Sequence, residues 1–262
     1  MVLQEMLPLA PWTDPRVWRL PGTQLADPDA WVQVDDAYAG QMRLRNQLIS
    51  EQRGDVLALL PEAKAAAAEL YDMGLSRLSR MEGFAIGAKT AMCPDCKQIV
   101  LKRSDPLGTL GRLIQEDLCI LQKLGGSTEH ILTGAVLCFP AGWTLAEKIG
   151  RPLGRIHAPV ARYHQVGPRV QRMLDGLKPG RPVWRANAHF YDDPTLFAPR
   201  TETDARNEAV SGRFVRSEYQ VLFRLPVTGA IVFSIHTYVV ARGALSDVAE
   251  AALVANPLSS GQ

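Results

Sequence analysis

The segment RPLGRIHAPV, residues 151–160, contains the first side chain that could do chemistry. Its histidine, His157, stands two residues before Pro159, and the residue that precedes a proline is disfavoured in the helical conformation. We therefore expect His157 in the last turn of a helix or just past it. A neutral imidazole there is suited to binding iron, whereas the alternative interpretation is a packed side chain at a helix end.

A second set of polar side chains alternates with apolar ones in residues 213–240, which predict a long hairpin turning at PVTG. Period-two alternation places on one face of its first strand Arg216, Glu218, Gln220 and Arg224. The return strand likewise places on one face Ser234, His236 and Tyr238. A solvent-exposed sheet face would explain this alternation. Glu218 and Arg224, however, have strongly apolar neighbours, and a half-buried carboxylate needs a partner or a role.

Two cysteines, Cys93 and Cys96, form a CxxC pair in the segment MCPDCKQ. This spacing is typical of half a zinc site or of a redox dithiol. A structural zinc ion needs four ligands, and neither a second CxxC nor an HxxxH follows in the sequence. The pattern therefore favours a tight loop with two thiols, with a local disulfide or a docking site for an electron donor as alternatives. Cys119 and Cys138 have apolar neighbours that indicate burial.

Composition and charge argue against several classes of protein. The chain has 262 residues, of which 47% are hydrophobic and 21% are charged, as in an ordinary globular domain. A net charge of +2 gives no support to nucleic-acid binding, which needs a concentrated basic face. The N-terminal residues lack the pattern of a signal peptide, and no apolar run reaches the length of a membrane span, about 18–20 residues. We therefore expect a cytoplasmic protein that binds neither nucleic acid nor membranes.

The predicted elements place helices first and strands later. After an irregular arm of residues 1–30, helices are expected in residues 38–52, 60–81 and 105–126. Strands are expected in 130–139 and 181–191 besides the hairpin, with a connector helix in 144–157 capped by Thr144 and a closing helix in 242–255. This order predicts an α+β fold in which a helical part, residues 1–125, packs on a mostly antiparallel sheet with an inserted helix, residues 126–262. No linker rich in Pro, Gly or Ser separates the two parts, so we expect one unit.

Four ordered segments resemble one known family, the haem-dependent oxidative N-demethylase alpha subunits. They are residues 105–121, 137–163, 181–197 and 216–239, within a resemblance that runs from about residue 43 to about residue 245. The resemblance implies a PAS-like fold that binds haem b and uses O2 to remove a methyl group from a small secondary amine such as dimethylamine, releasing formaldehyde. It also implies electrons from NADPH, delivered through a separate flavin and iron–sulfur reductase.

The resemblance assigns roles to particular residues. His157, in the motif GRPLGRIHAPV, is the first choice for the axial ligand of the iron, with His236 and His189 in reserve. Glu218 lies in EYQ, at the position of the family's ERQ-like motif, and is expected to hold the protonated amine and relay protons. Tyr219, which replaces the usual arginine, is taken as the second catalytic residue. The arginines expected to bind the haem propionates are Arg185, Arg216 and Arg224.

Two further interpretations stay open, because the chain departs from the family pattern near the expected pocket. Ala188 stands where a tryptophan often follows the asparagine of RANAH, and His236 stands where the family often has arginine. A second axial ligand from His236 would favour a non-catalytic haem-binding or gas-sensing PAS-like protein. In a haem-free relative, Glu218 and the arginines would form only a buried ion-pair network.

Overall fold

The computed structural model of the chain describes residues 2–18, 22–158, 163–204 and 212–259, and of residues 163–165 it describes only the backbone. The helices within these ranges are α1 (Pro15–Trp18), α2 (Tyr38–Glu51), α3 (Arg53–Val56), α4 (Lys64–Leu78), α5 (Pro106–Leu110), α6 (Leu145–Lys148), α7 (Leu153–Ile156), α8 (Tyr163–Gly176) and α9 (Asp247–Ala252). The strands are β1 (Gln24–Leu25), β2 (Leu57–Leu59), β3 (Ala85–Ile86), β4 (Thr90–Met92), β5 (Gln98–Val100), β6 (Asp117–Gln122), β7 (Ile131–Val136), β8 (Val183–Tyr191), β9 (Phe214–Arg224) and β10 (Ile231–Ala241).

Seven of these strands form one sheet in the order β1-β8-β9-β10-β6-β7-β2, and every pair in it is antiparallel. The predicted hairpin of β9 and β10 lies at the centre, with each strand 11 residues long. The remaining three strands, β3, β4 and β5, form a small separate sheet. The α+β class predicted from the sequence, with a mostly antiparallel sheet and helices inserted between β7 and β8, is therefore confirmed.

The prediction of a third helix in residues 105–126 is wrong for most of those residues. Only residues Pro106–Leu110 are helical, and residues Asp117–Gln122 form β6, an inner strand of the large sheet. A short apolar run that is buried on both faces has no periodicity to distinguish a strand from a helix. Gly111 directly follows α5 and lies close against β7. A Cβ at this position would lie 2.6 Å from a methyl carbon of Val136, so the close packing requires glycine.

The connector between β7 and the strand that follows it is divided into short helices. α6 and α7 stand where one helix was predicted, because Gly150 takes a left-handed φ of +74° between them. Thr144 occupies the N-cap position of α6, yet its hydroxyl donates to the Glu147 carboxylate instead of capping the backbone, at 2.8 Å. The closing helix is also shorter than predicted and covers only Asp247–Ala252.

The two faces of the large sheet pack against different helices. Side chains such as Val221 and Val232 join the core formed by α2 and α4, whereas Leu222 and Ile231 join a second core with Leu174 of α8. The connector helices α6, α7 and α8 therefore cover one face, and α2 and α4 cover the other. No described helix has the length and apolar character needed to cross a membrane.

A fully buried ion pair joins α2 to the start of β6. The Arg45 guanidinium donates to Asp117 at 2.6 Å and to backbone carbonyl oxygens of residues 111, 115 and 116. Asp117 also accepts the N–H groups of Cys138 and Phe139. Each charge therefore has several hydrogen-bond partners, which is the condition under which a buried ion pair is tolerated.

Strands from both sides of residue 125 belong to the large sheet. The division of the chain into a part of residues 1–125 and a part of residues 126–262 stays a prediction.

Candidate functional site

His157 occupies the C-cap position of α7, with φ −97° and ψ 8°, where the sequence placed it. Its Nδ1 lies 2.9 Å from the Leu153 carbonyl oxygen. A carbonyl only accepts hydrogen bonds, so Nδ1 carries the proton and Nε2 carries the lone pair. Burial lowers the pKa of His157 and keeps the imidazole neutral. This tautomer, with one nitrogen donating to a carbonyl, is the form in which histidine binds metals.

The start of β7 fixes the position of α7. The Leu153 N–H donates to the His130 carbonyl oxygen at 3.0 Å, and the Gly154 N–H donates to the Glu129 carboxylate at 2.7 Å. A Cβ at Gly154 would lie 2.8 Å from that same carboxylate, so glycine permits this close approach. Two bonds at the first turn therefore set where the short helix begins and, with it, where His157 lies.

An ion-pair group joins the connector helices to the segment that follows β8. Glu202 accepts from Lys148 of α6 at 2.6 Å and from Arg155 of α7 at 2.9 Å. The hydrogen bond from Arg155, followed by that from Lys148, lowers the pKa of Glu202 to about 2. The Glu202 N–H in turn donates to the Glu147 carboxylate at 3.2 Å. Glu202 thereby joins the segment that follows β8 to both α6 and α7.

Polar side chains gather on the face of the sheet that the connector helices cover. Cross-strand register pairs Arg185 with Gln220, Asn187 with Glu218, His189 with Arg216, and Glu218 with Thr237. Residues directly opposite each other in neighbouring antiparallel strands share a face. We call this set, namely Arg185, Asn187, His189, Arg216, Glu218, Gln220 and Thr237, the sheet-face cluster.

Glu218 lies at the centre of the sheet-face cluster, with its side chain 14% exposed. Its Oε2 accepts from the Gln220 amide at 2.8 Å and from the Asn187 amide at 3.1 Å. Its Oε1 lies 3.7 Å from an Arg216 nitrogen, which makes a long ion pair. Two amides therefore orient one oxygen of the carboxylate, and the other has only a distant cation.

The two arginines of the sheet-face cluster have different surroundings. Arg216 donates its terminal nitrogens to the carbonyl oxygens of Phe139 and Leu196, so it joins the two loops beside the sheet. Arg185 lies close to Glu218. Burial lowers the pKa of Arg185, and the negative charge of Glu218 opposes that shift. The Nε atoms of both arginines are buried without a hydrogen-bond partner.

Unpaired polar atoms are concentrated in this cluster. Among the described residues, seven buried side-chain nitrogen or oxygen atoms have no hydrogen-bond partner. Four of the seven belong to the sheet-face cluster, and they are Arg185 Nε, Arg216 Nε, Gln220 Oε1 and Thr237 Oγ1. Leaving a buried polar group unpaired costs about 1–3 kcal/mol, so a cluster of them indicates a place where a polar ligand binds.

His157 lies beside this cluster, and His189 is one of its members. Burial lowers the pKa of His157, and the positive charges of Lys148 and Arg185 lower it further. Burial also lowers the pKa of His189, although the charge of Glu218 opposes the shift. The His189 Nδ1 is 3.0 Å from the Ser259 hydroxyl, near the C-terminus. Both imidazoles are therefore neutral, and α7 brings His157 within electrostatic reach of Arg185.

Two residues predicted for the site lie on the opposite face of the sheet. Tyr219 stacks on Trp184 with ring centroids 5.1 Å apart, and burial raises its pKa. His236 is paired with Tyr219 across the hairpin and lies between Glu116 and Asp35, at 2.8 Å and 3.0 Å. Successive strand residues point to opposite faces, so neither side chain lies beside Glu218. We therefore place both outside the candidate site.

Arg224 is also separated from the sheet-face cluster, although it shares the face. It lies six positions after Glu218, which along a strand is about 20 Å. Its guanidinium donates to the carbonyl oxygens of Leu174 and Leu177 at 2.9 Å and 2.7 Å, and to that of Gly229 at 2.7 Å. A cation that binds the last carbonyls of a helix is a C-terminal cap. Arg224 thus ends α8 and is not available to a ligand at Glu218.

Replacing Arg224 by methionine is expected to destabilise the fold and leave the candidate site intact. Losing these charged hydrogen bonds should cost about 1–3 kcal/mol in the free energy of unfolding, because buried carbonyl groups are left unpaired. Urea unfolding measures the cost, and haem titration of the same variant measures the site. Haem affinity that falls in Arg224→Met as much as in Arg185→Met would show that Arg224 contacts the ligand after all.

Sequence reasoning missed several residues in and around the sheet-face cluster. Asn187 was not singled out, although the segment RANAH alternates at period two and so places Arg185, Asn187 and His189 on one face. Thr237 was missed because an isolated threonine in a strand is common. No pattern in the sequence pointed to Phe139 and Leu196, since they contribute backbone carbonyl oxygens.

A comparison with known families gives one match that covers nearly the whole chain. The family model described as haem-dependent oxidative N-demethylase, alpha subunit-like, matches residues 22–262. The match contains the connector helices, the sheet-face cluster and the residues that hold both in place.

Proposed function

We propose, because this chain belongs to the haem-dependent oxidative N-demethylase alpha subunit-like family, that it removes a methyl group from a small secondary amine. The proposed reaction uses haem b and O2 and converts a dimethylamine-like substrate to the primary amine and formaldehyde. Electrons are proposed to come from NADPH through a separate flavin and iron–sulfur reductase. Family membership supports the haem-dependent oxidative class, and the amine, the haem type and the reductase are parts of the proposal.

The residues on the covered face of the sheet fit a haem. His157 presents a neutral imidazole with its lone pair on Nε2, and this is the nitrogen we assign to the iron. Arg185, buried with an unpaired Nε, is the arginine best suited to a propionate, because guanidinium binds carboxylate in a bidentate manner. Arg216 already binds two carbonyl groups and is assigned a structural role beside it. The bound haem supplies the oxidation of the N-methyl group by O2.

Glu218 is assigned to the substrate. A dialkylammonium ion carries one positive charge and two N–H donors, and Glu218 Oε1 has only a cation 3.7 Å away. The amides of Asn187 and Gln220 hold the carboxylate in one orientation through Oε2. Oε1 can therefore accept a proton from the ammonium ion before the methyl group is oxidised. It can return that proton to the nitrogen when the carbon–nitrogen bond breaks, while the hydroxyl of the hydroxylated methyl group loses its own proton and formaldehyde leaves.

A single observation carries this proposal, namely the four unpaired polar atoms of the sheet-face cluster. A haem-free structural relative would be expected to pair its buried polar groups within the protein. Here two donors on Arg185 and Arg216, an acceptor on Gln220 and a hydroxyl on Thr237 that can donate or accept lie unpaired around one carboxylate. That arrangement suits a ligand with both anionic groups and hydrogen-bond donors.

Replacing Glu218 by glutamine is expected to leave haem bound and to weaken amine binding at least about thirtyfold. Removing one member of a buried charge pair costs about 2 kcal/mol or more, which corresponds to that factor. The Soret band of the haem-loaded protein measures loading, and its shift on titration with dimethylamine measures affinity. Formaldehyde released in aerated buffer, with electrons supplied from NADPH through a flavin and iron–sulfur reductase, tests the reaction itself.

Glu250→Gln is the matched control, because Glu250 is an exposed carboxylate paired with Arg242 at the far end of β10. The control is expected to behave as wild type in all three assays. Equal amine affinity in Glu218→Gln and in wild type would overturn the assignment of Glu218. A haem-loaded wild-type protein that yields no formaldehyde with any small secondary amine would overturn the proposed reaction.

A further inference from the structure

The CxxC pair lies in one tight turn of the small sheet. Met92 of β4 pairs with Gln98 of β5 across this hairpin. Within the turn, the Cys96 N–H donates to the Cys93 carbonyl oxygen at 2.9 Å, and the Cys93 N–H donates to the Lys97 carbonyl oxygen at 2.9 Å. Such a turn brings the Cα atoms of its first and fourth residues within about 7 Å, and disulfides span about 4.4–6.8 Å. The backbone therefore holds the two Cα atoms within about 7 Å of each other, which is close enough for a disulfide to form with little movement of the chain.

The backbone of Cys96 is in the left-handed region, with φ +62°. It is the single residue other than glycine with a positive φ in the part of the chain that the structure describes. Hairpin loops of this length usually place glycine at the left-handed position, because a Cβ is disfavoured there. Cysteine at this position thus retains a side chain at a conformational cost that glycine would avoid.

The two thiols differ in access and in surroundings. Cys96 is exposed, whereas Cys93 is 3% exposed and burial raises its pKa. The Tyr38 hydroxyl donates to the Leu113 carbonyl oxygen at 2.7 Å, and its proximity to the Cys93 thiol opposes the effect of burial on the Cys93 pKa. Cys96 is therefore the thiol that meets a reagent from solution first, and Cys93 is the thiol behind it.

We propose that Cys93 and Cys96 are a redox pair that closes reversibly to a disulfide by exchange with small disulfides of the glutathione class. An accessible cysteine next to a second, resolving cysteine is the usual arrangement of a thiol redox sensor. The other two cysteines, Cys119 and Cys138, are buried in or beside the large sheet and do not compete. The proposal stands on this turn and does not depend on the haem chemistry proposed above.

The exchange proceeds in two steps. The Cys96 thiolate attacks one sulfur of the small disulfide, the S–S bond of the reagent breaks, and one reagent thiolate leaves and takes up a proton. The Cys93 thiolate then attacks the Cys96 sulfur of the mixed disulfide and releases the second reagent thiol. Two cysteine thiols are oxidised by two electrons, one disulfide is reduced to two thiols, and the two cysteine protons end on the released thiols.

The test uses the full chain in buffers of graded ratio of reduced to oxidised glutathione. After equilibration, free thiols are alkylated, the protein is digested, and each peptide is weighed. The peptide that contains residues 93–96 is expected to lose two alkylation sites and two hydrogens as the buffer becomes more oxidising. Peptide mapping of the wild type assigns the bond without relying on the folding of any variant.

Three variants sharpen the result. Cys96→Ser is expected to prevent oxidation at this turn, Cys93→Ser is expected to trap glutathione on Cys96, and Cys119→Ala is expected to behave as wild type. Glutathione retained on wild-type Cys96 at every ratio, without closure, would overturn the proposal. Zinc retained after incubation with zinc chloride and gel filtration, at one ion per two chains and lost in Cys96→Ser, would assign the thiols to a shared metal site instead.

Discussion

Replacing His157 by glycine should abolish the Soret band of the protein purified from cells supplied with a haem precursor, and added imidazole should restore it. The Leu153 carbonyl oxygen fixes the tautomer of His157, and Glu129 and His130 fix the helix that carries it. The glycine variant removes the ring and leaves a space of its shape, which free imidazole can fill. Recovery by imidazole distinguishes a lost ligand from a damaged fold.

His189→Ala is the informative companion to this experiment, because His189 is the neutral histidine within the sheet-face cluster itself. We expect it to retain the Soret band without imidazole. The reverse pattern, in which His189→Ala loses the Soret band and His157→Gly keeps it, would assign the axial ligand to His189 instead. A ferrous–CO spectrum of wild type that lacks the usual shift would favour the non-catalytic haem-binding alternative.

The second large effect is expected on the opposite face, where His236→Gln should lower the free energy of unfolding by about 3–5 kcal/mol near neutral pH. His236 lies between Asp35 and Glu116, and the two carboxylates are left close together without it. Burial by itself would lower the pKa of His236, but the hydrogen bonds and charges of Asp35 and Glu116 outweigh burial and raise it to about 9. The imidazolium is therefore part of the fold.

The pH dependence has a definite sign, because the folded pKa of His236, about 9, lies above the ordinary value of 6.5. The folded state binds the proton more tightly, so this contribution is fully present below pH 6.5 and is lost as the pH rises through 9. A shift of this size corresponds to a loss of about 3 kcal/mol in the free energy of unfolding between pH 6.5 and 9. The difference in stability between wild type and His236→Gln should narrow over that range.

Urea unfolding at a series of pH values from 6 to about 10 measures this difference. His130→Gln serves as a matched control, because burial lowers the pKa of His130 and its protonation acts below pH 6.5. A constant gap between wild type and His236→Gln across the alkaline range would contradict the buried imidazolium. A gap that widens as the pH rises from 6.5 to 9 would do the same.

Periodicity predicted the hairpin and its two faces correctly, but it could not say which helices would cover each face. β9 and β10 alternate as the sequence indicates, so Glu218 and Tyr219 were expected on opposite sides. The partners of His236 could not be predicted, because Asp35 lies 201 residues earlier and Glu116 lies 120 residues earlier. Contacts over such separations depend on the tertiary fold and leave no local pattern.

The three arginines of the predicted site also show that a local sequence pattern does not reveal tertiary partners. Arg185, Arg216 and Arg224 look equivalent in the sequence, since each lies in an apolar strand. The structure gives them three different surroundings, which are an unpaired buried site, a junction of two loops and a helix end. Residue type and spacing predicted that these cations need partners, and only the position of α8 and of the loops decides which partners they have.

The alternation of β9 and β10 has a consequence for how this hairpin can change in evolution. A one-residue insertion or deletion within either strand would reverse the faces beyond it, so that carboxylate and imidazole groups would exchange environments. Such a change in β9 would turn Glu218 into the core beside α2 and α4, and such a change in β10 would turn His236 towards the connector helices. Divergence among relatives should therefore proceed by substitution within these strands, and changes in length should be confined to the connecting segments.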